Sequence, residues 1–118
     1  MKATELRIGN YVNYIFKTLS IDAPEYKIKN GADIQLHQSN NLYKPIPLTD
    51  QWLKDLGLET KDNDEHMWFI MGYAVYEFLF DGKFLYYASN TPGINTKIEY
   101  VHHFQNLYFA LTGEELIK

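Results

Sequence analysis

The chain contains no cysteine. Disulfide staples and thiolate chemistry are thereby excluded, and the composition suits a reducing compartment. Long apolar runs are also missing. The longest apolar region, Met67 to Phe80, is interrupted by Gly72 and Glu77 and falls short of the roughly 20 apolar residues of a membrane span. Residues Met1 to Gly9 hold no apolar core of a signal peptide. Basic residues are the minority: 11 Lys and Arg against 15 Asp and Glu leave a net charge of -4. No run of Lys and Arg forms a basic stripe, so the balance argues against general binding to a phosphate backbone. The expectation is a cytoplasmic protein with no membrane segment and no general affinity for nucleic acid.

The common catalytic signatures are absent as well. Gly9, Gly31, Gly57, Gly72, Gly82, Gly93 and Gly113 stand singly, so no glycine-rich loop cradles a phosphate. Ser20, Ser39 and Ser89 lack the strand–turn–helix setting of a nucleophile elbow. Asp62, Asn63, Asp64 and Glu65 lack the central glycine and the ligand spacing of a calcium loop. Of the four histidines, His102 and His103 are adjacent. On a helix their side chains leave the axis about 100° apart, and no ligand-type residue follows four positions on. No catalytic residue, cofactor or metal is expected on these grounds.

What is present is a chain of 118 residues, 46% hydrophobic and 22% charged, with ten Tyr, seven Phe and two Trp. That length and apolar content support one sizeable core without staples. Tyr suits half-buried sheet faces and interfaces. The aromatic content therefore reads as a sheet-rich core with Tyr at its rim, or as an exposed aromatic surface for a partner.

Periodicity and punctuation order the chain. Gly9-Asn10 marks a tight turn, and Tyr11 to Phe16 alternates as a strand, with Val12, Tyr14 and Phe16 on one face. Asn30-Gly31 signals a hairpin; a three-residue loop, Lys29 to Gly31, segregates the apolar residues best. Thr49 is a helix N-cap, with Asp50 in the first turn and Leu48 placed to pack on Leu53. Trp52, Leu53 and Leu56 would be the buried face, and Gly57 the stop. Met67 to Ile70, Tyr73 to Phe80 and Lys83 to Ala88 read as strands around an Asp81-Gly82 turn, and Ile94 to Ile98 follows. Either Tyr76, Phe78, Leu85 and Tyr87, or Tyr86 and Phe84 in a shifted register, line one face. Val101, Phe104, Leu107, Tyr108 and Leu111 recur at helical spacing and predict a closing helix ended by Gly113. Thr112 and Glu115 have capping spacing for one more short turn, Glu114 to Leu116. The expected fold is α+β over a single domain, 1–118: a twisted, mostly antiparallel sheet, with an N-terminal half that could be barrel-like, and two helices at about 49–57 and 100–113.

Three blocks carry a resemblance. They are Leu6-Arg7-Ile8-Gly9-Asn10; Pro45-Ile46-Pro47-Leu48-Thr49 with Trp52-Leu53 and Leu56-Gly57; and Val101-His102 with Gln105 to Leu116. In this order they resemble the markers of a family of small bacterial proteins found in gut anaerobes and near prophage-like or mobile regions. The resemblance implies a free-standing domain of mobile-element origin. It brings no assigned activity, so no functional residue follows from it.

One polar constellation remains. His102, Gln105 and Asn106 fall along one side of the closing helix, with Phe109, by i,i+3 and i,i+4 spacing. Arg7 and Asn10 are the polar residues of the first block. These five are the candidate interaction surface, or else they satisfy loop backbone within the fold. The favoured function is a small non-enzymatic binding or accessory protein that contacts a protein partner or a second copy of itself. A nucleic-acid accessory with Tyr11, Tyr14 and Tyr26 as stacking platforms is the alternative, and an enzyme with an unfamiliar pocket is the third reading.

Overall fold

In chain order a 3₁₀ turn, Ala3–Glu5, precedes β1 (Tyr11–Tyr14), β2 (Glu25–Lys27), α1 (Gly31–Asn40), β3 (Tyr43–Lys44), α2 (Asp50–Asp55), β4 (Glu59–Lys61), β5 (Asp64–Met71), β6 (Val75–Phe80), β7 (Leu85–Tyr87), β8 (Lys97–Ile98) and α3 (Val101–Thr112). The computed structural model describes residues 1–14, 25–40, 42–61, 64–71, 75–87 and 97–118. The expectations for Ile15 and Phe16, Ser20, Asp62 and Asn63, Gly72 to Ala74, Ala88, Ser89 and the Pro92-Gly93 turn with Ile94 lie outside the described residues. The fold is α+β. The described strands form two antiparallel sheets, ordered β2-β1-β3 and β4-β5-β6-β7-β8. The three strands of the first sheet form an open ladder, too few to close the barrel that was expected as an option. The chain divides into two compact units, Met1–Ile46 with Tyr100–Ile117, and Pro47–Glu99 with Lys118.

In the first unit, alternation along β1 sends Val12 to a core with Leu6, Ile28 and Tyr43, against which Tyr14 and Tyr26 pack. Burying each large apolar side chain contributes roughly 1.5–3 kcal/mol. Tyr26 stacks on Tyr43 at 5.7 Å between ring centroids, and Tyr14 meets Tyr43 edge-on at 5.7 Å. Tyr11 is buried. All three tyrosines named as stacking platforms are thus at least half-covered. Buried His37 closes the cluster: its Nδ1 accepts from the Tyr43 amide at 3.1 Å and its Nε2 donates to the Met1 carbonyl at 2.9 Å.

The Asn30-Gly31 hairpin does not form; α1 begins there instead. Asn30 Oδ1 accepts from the Asp33 amide at 3.0 Å. Asp33 Oδ2 in turn accepts from the Lys29 amide at 2.8 Å and from the Tyr26 hydroxyl at 3.1 Å. Such local bonds satisfy the free amides of a helix start, and they compete directly with a ladder. Ile34 and buried His37, three residues apart, then share the covered side of α1.

The second unit follows its local signals closely. Thr49 Oγ1 accepts from the Trp52 amide at 3.2 Å, and the Leu58 amide returns to the Leu53 carbonyl at 2.9 Å past Gly57. Leu48, Leu53, Leu56 and Leu58 are buried, and Trp52 is half-buried. At the β6–β7 turn Asp81 Oδ1 accepts from the Lys83 and Phe84 amides at 2.9 and 2.7 Å. This fixes the register Phe80↔Leu85 and Phe78↔Tyr87, the first of the two considered. Phe78, Phe80 and Leu85 share a buried face with Trp68, which lies opposite Phe78. The β6–β7 hairpin is interior to the sheet, as both its apolar faces required.

Helix α3 spans the predicted segment. Gly113 ends it in the left-handed region, φ 76°, with its amide on the Phe109 carbonyl at 2.8 Å. The extra turn over Glu114 to Leu116 is absent. Thr112 Oγ1 accepts from the Glu114 amide at 3.0 Å, closing a bend, and Leu116 is buried in non-helical chain.

Candidate functional site

The first unit gathers its polar chemistry where α3 meets the N-terminal turn. Around that turn the Asn10 amide donates to the Arg7 carbonyl at 3.1 Å, and the Arg7 amide donates to Asn10 Oδ1 at 2.7 Å. Gly9 has φ 98°, which a residue with a Cβ rarely takes. The Gly9 amide and the Asn10 carbonyl both bond to the Ile28 backbone at 2.8 Å, tying the turn to the chain after β2.

Gln105 projects from α3 into this turn and uses its whole amide. Its Oε1 accepts from the Tyr11 amide at 2.9 Å. Its Nε2 donates to the carbonyls of Gly9 and Leu116, each at 2.8 Å. One residue on, Asn106 Oδ1 accepts from Asn10 Nδ2 at 2.9 Å, and Asn106 Nδ2 donates to the Glu5 carbonyl at 2.8 Å. Two side-chain amides thus bond backbone groups of Glu5, Gly9, Tyr11 and Leu116, which is what buried backbone requires. Arg7 closes the outer edge. Its guanidinium lies 3.7 Å from the Phe109 ring centroid and pairs with Glu115.

Beside this clamp, Glu5, His102 and His103 converge. Glu5 Oε1 lies 2.6 Å from His103 Nε2 and 3.6 Å from His102 Nε2. The two imidazole centroids are 4.1 Å apart. This overturns the expectation that adjacent histidines must diverge: at the first turn of α3 their two rotatable side-chain bonds bring both rings round to Glu5. His102 is fully buried, and neither of its ring nitrogens has a hydrogen-bond partner among the described residues. Burial, and then the neighbouring His103, push His102 down to about 4. The Lys2 amide, 2.6 Å from Glu5 Oε2, is the main cause holding Glu5 near 2, with His103 and His102 adding to it.

A third feature is an open depression of about 870 Å³ on the same unit. Ile8, Ile34 and Ile117 line it, and Lys27 and Lys29 stand at its rim beside the Arg7–Glu115 pair. Ile8 is 55% exposed and Ile117 47% exposed. Neither lysine makes an ion pair with another described residue. Phe109 is the one aromatic among the large exposed apolar side chains of the described residues.

The chain matches no family model, no curated protein and no solved structure. The site therefore rests on its own geometry.

All five sequence-derived candidates come together, but as two different structures. Arg7, Asn10, Gln105 and Asn106 form the clamp; His102 belongs to the Glu5 cluster. Asn10, His102 and Gln105 are 0% exposed. Of the two readings of these residues, the one in which they satisfy loop backbone holds for Asn10, Gln105 and Asn106, whereas Leu107 and Leu111 of the predicted apolar stripe are only half-buried. Glu5, Ile8 and Ile117 were not singled out from the sequence. No local signal could have found Glu5, which meets His103 across 98 positions.

Proposed function

We propose that this is a small, non-enzymatic cytoplasmic binding protein that holds an extended segment of a partner protein in the Ile8–Ile34–Ile117 depression. The observation that carries the reading is two exposed isoleucines beside two lysines on a chain of net charge -4. Exposed apolar side chains gathered in one concavity are the usual mark of a contact site. The lysines select the partner's chemistry: an aliphatic anchor flanked by acidic residues. The surface is aliphatic rather than aromatic, since every described tyrosine with a burial class is buried or half-buried. The resemblance to small prophage-associated proteins fits an accessory role of this kind.

The test is selection of a random-peptide library on the full chain, followed by titration of the enriched peptides. Enriched peptides should combine aliphatic and acidic residues, bind more weakly as salt rises, and lose at least tenfold in affinity to Ile8→Asp and to Lys27→Glu. Equal binding to wild type and Ile8→Asp would overturn the proposal. So would a concentration-dependent dimer that Ile117→Asp dissolves, since the depression would then belong to a second copy.

A further inference from the structure

We infer that Glu5, His102 and His103 form a binding site for one divalent transition-metal ion, with Zn²⁺ as the reference case. The three ligand atoms, one carboxylate oxygen and two imidazole nitrogens, all lie within 4.8 Å of one another. Around a tetrahedral zinc with bonds of roughly 2.0–2.1 Å, ligand atoms sit about 3.3 Å apart. The Glu5–His102 separation of 3.6 Å is already close to that value. The Glu5–His103 separation of 2.6 Å has to open by well under the length of a bond.

The second observation is independent of that convergence. A buried polar atom is nearly always hydrogen-bonded, and each orphan is costly. His102 is 0% exposed, carries two ring nitrogens with no hydrogen-bond partner among the described residues, and has Nε2 aimed at Glu5. A neutral imidazole in that position offers a lone pair with nothing to receive it. A metal ion supplies the missing partner.

The donor set defines the class of ion. Two imidazoles and one carboxylate suit Zn²⁺ and its first-row neighbours; Mg²⁺ and Ca²⁺ prefer oxygen alone. Access is provided for, since the Glu5 and His103 side chains retain 31% and 39% exposure. Three protein ligands leave one position to solvent. The ion would join the Ala3–Glu5 turn to the first turn of α3, so it should brace the fold as well as occupy a site. The groove reading is separate, and neither depends on the other.

The experiment is calorimetric titration of Zn²⁺ into the chelator-treated full chain, with Co²⁺ absorption as the spectroscopic partner. One Zn²⁺ per chain should bind in the micromolar range or tighter, and Co²⁺ should show the intense visible bands of a four-coordinate ion. The melting temperature should rise with added Zn²⁺. His102→Ala removes a buried ring and can unfold the unit, so Glu5→Gln and His103→Ala, at partly exposed positions, decide the matter. Each should weaken Zn²⁺ at least tenfold. Zn²⁺ affinity unchanged in the Glu5→Gln, His103→Ala double variant, or binding by the wild type only at millimolar Zn²⁺, would overturn the assignment.

Discussion

Gln105 Nε2 donates to the Gly9 carbonyl at 2.8 Å, a bond that spans 96 positions of chain. With its partner bonds to Tyr11 and Leu116, it makes one side-chain amide the junction of the N-terminal turn, the closing helix and the C-terminal segment. Gln105→Leu keeps the size and removes the bonding, so the Gly9 and Leu116 carbonyls and the Tyr11 amide each lose the bond that Gln105 makes. The expected loss is about 3 kcal/mol, read as a lower midpoint in urea unfolding.

Asn10 and Asn106 should be energetically coupled. Their side chains share a 2.9 Å bond, and each also holds backbone. In a double-mutant cycle of Asn10→Ala and Asn106→Ala the coupling should be about 1 kcal/mol, the double variant being less damaged than the sum of the singles. Strict additivity would show that the two bonds act separately.

The clamp explains what sequence reading could and could not reach. Signals between near neighbours were legible: the Thr49 cap, the Asp81 turn, the α3 periodicity and the Gly113 stop all occur where the residues place them. Asn30-Gly31 was misread because the same pair suits a hairpin turn or a helix start, and Asp33 settles the matter through bonds to Lys29 and Tyr26. Strands of two or three residues, such as β3 and β4, carry too few side chains to show alternation. That the polar side of α3 satisfies loop backbone was one of the two readings open in the sequence, and Gln105 and Asn106 do so. Which backbone groups they meet was not legible, because all but Leu116 lie 94 to 101 positions away.

Two glycines test the cost of a positive φ. Gly113 has φ 76° with open space where a Cβ would stand, so Gly113→Ala should cost about 1 kcal/mol through conformation alone, and Gly113→Asn less. At Gly9 the added carbon would meet Glu115 Oε2 only in ordinary van der Waals contact, at 3.4 Å, but φ 98° lies further from the left-handed basin open to a residue with a Cβ. Gly9→Ala should therefore cost more than Gly113→Ala on conformational grounds, with thermal melts of both variants as the check.

Acid should weaken the metal-free protein through His102. Its folded value, about 4, lies below the ordinary 6.5. Between those values the unfolded chain binds a proton that the folded chain refuses, so stability falls as pH drops from about 6.5 toward 4. The full contribution is at most about 3 kcal/mol. Chemical denaturation across this range, with chelator present, should show the slope, and His102→Gln should flatten it.

The first unit is built from two stretches of chain, 1–46 and 100–117, whereas 47–99 of the other is continuous. During synthesis on the ribosome the early strands and α1 therefore emerge with their clamp missing, since Gln105 and Asn106 are still to be made. The N-terminal turn must wait, with its backbone held by water, until the final helix leaves the exit tunnel. Residues 47–99 face no such delay. The order of emergence favours a nascent chain that completes its middle first and joins its two ends last.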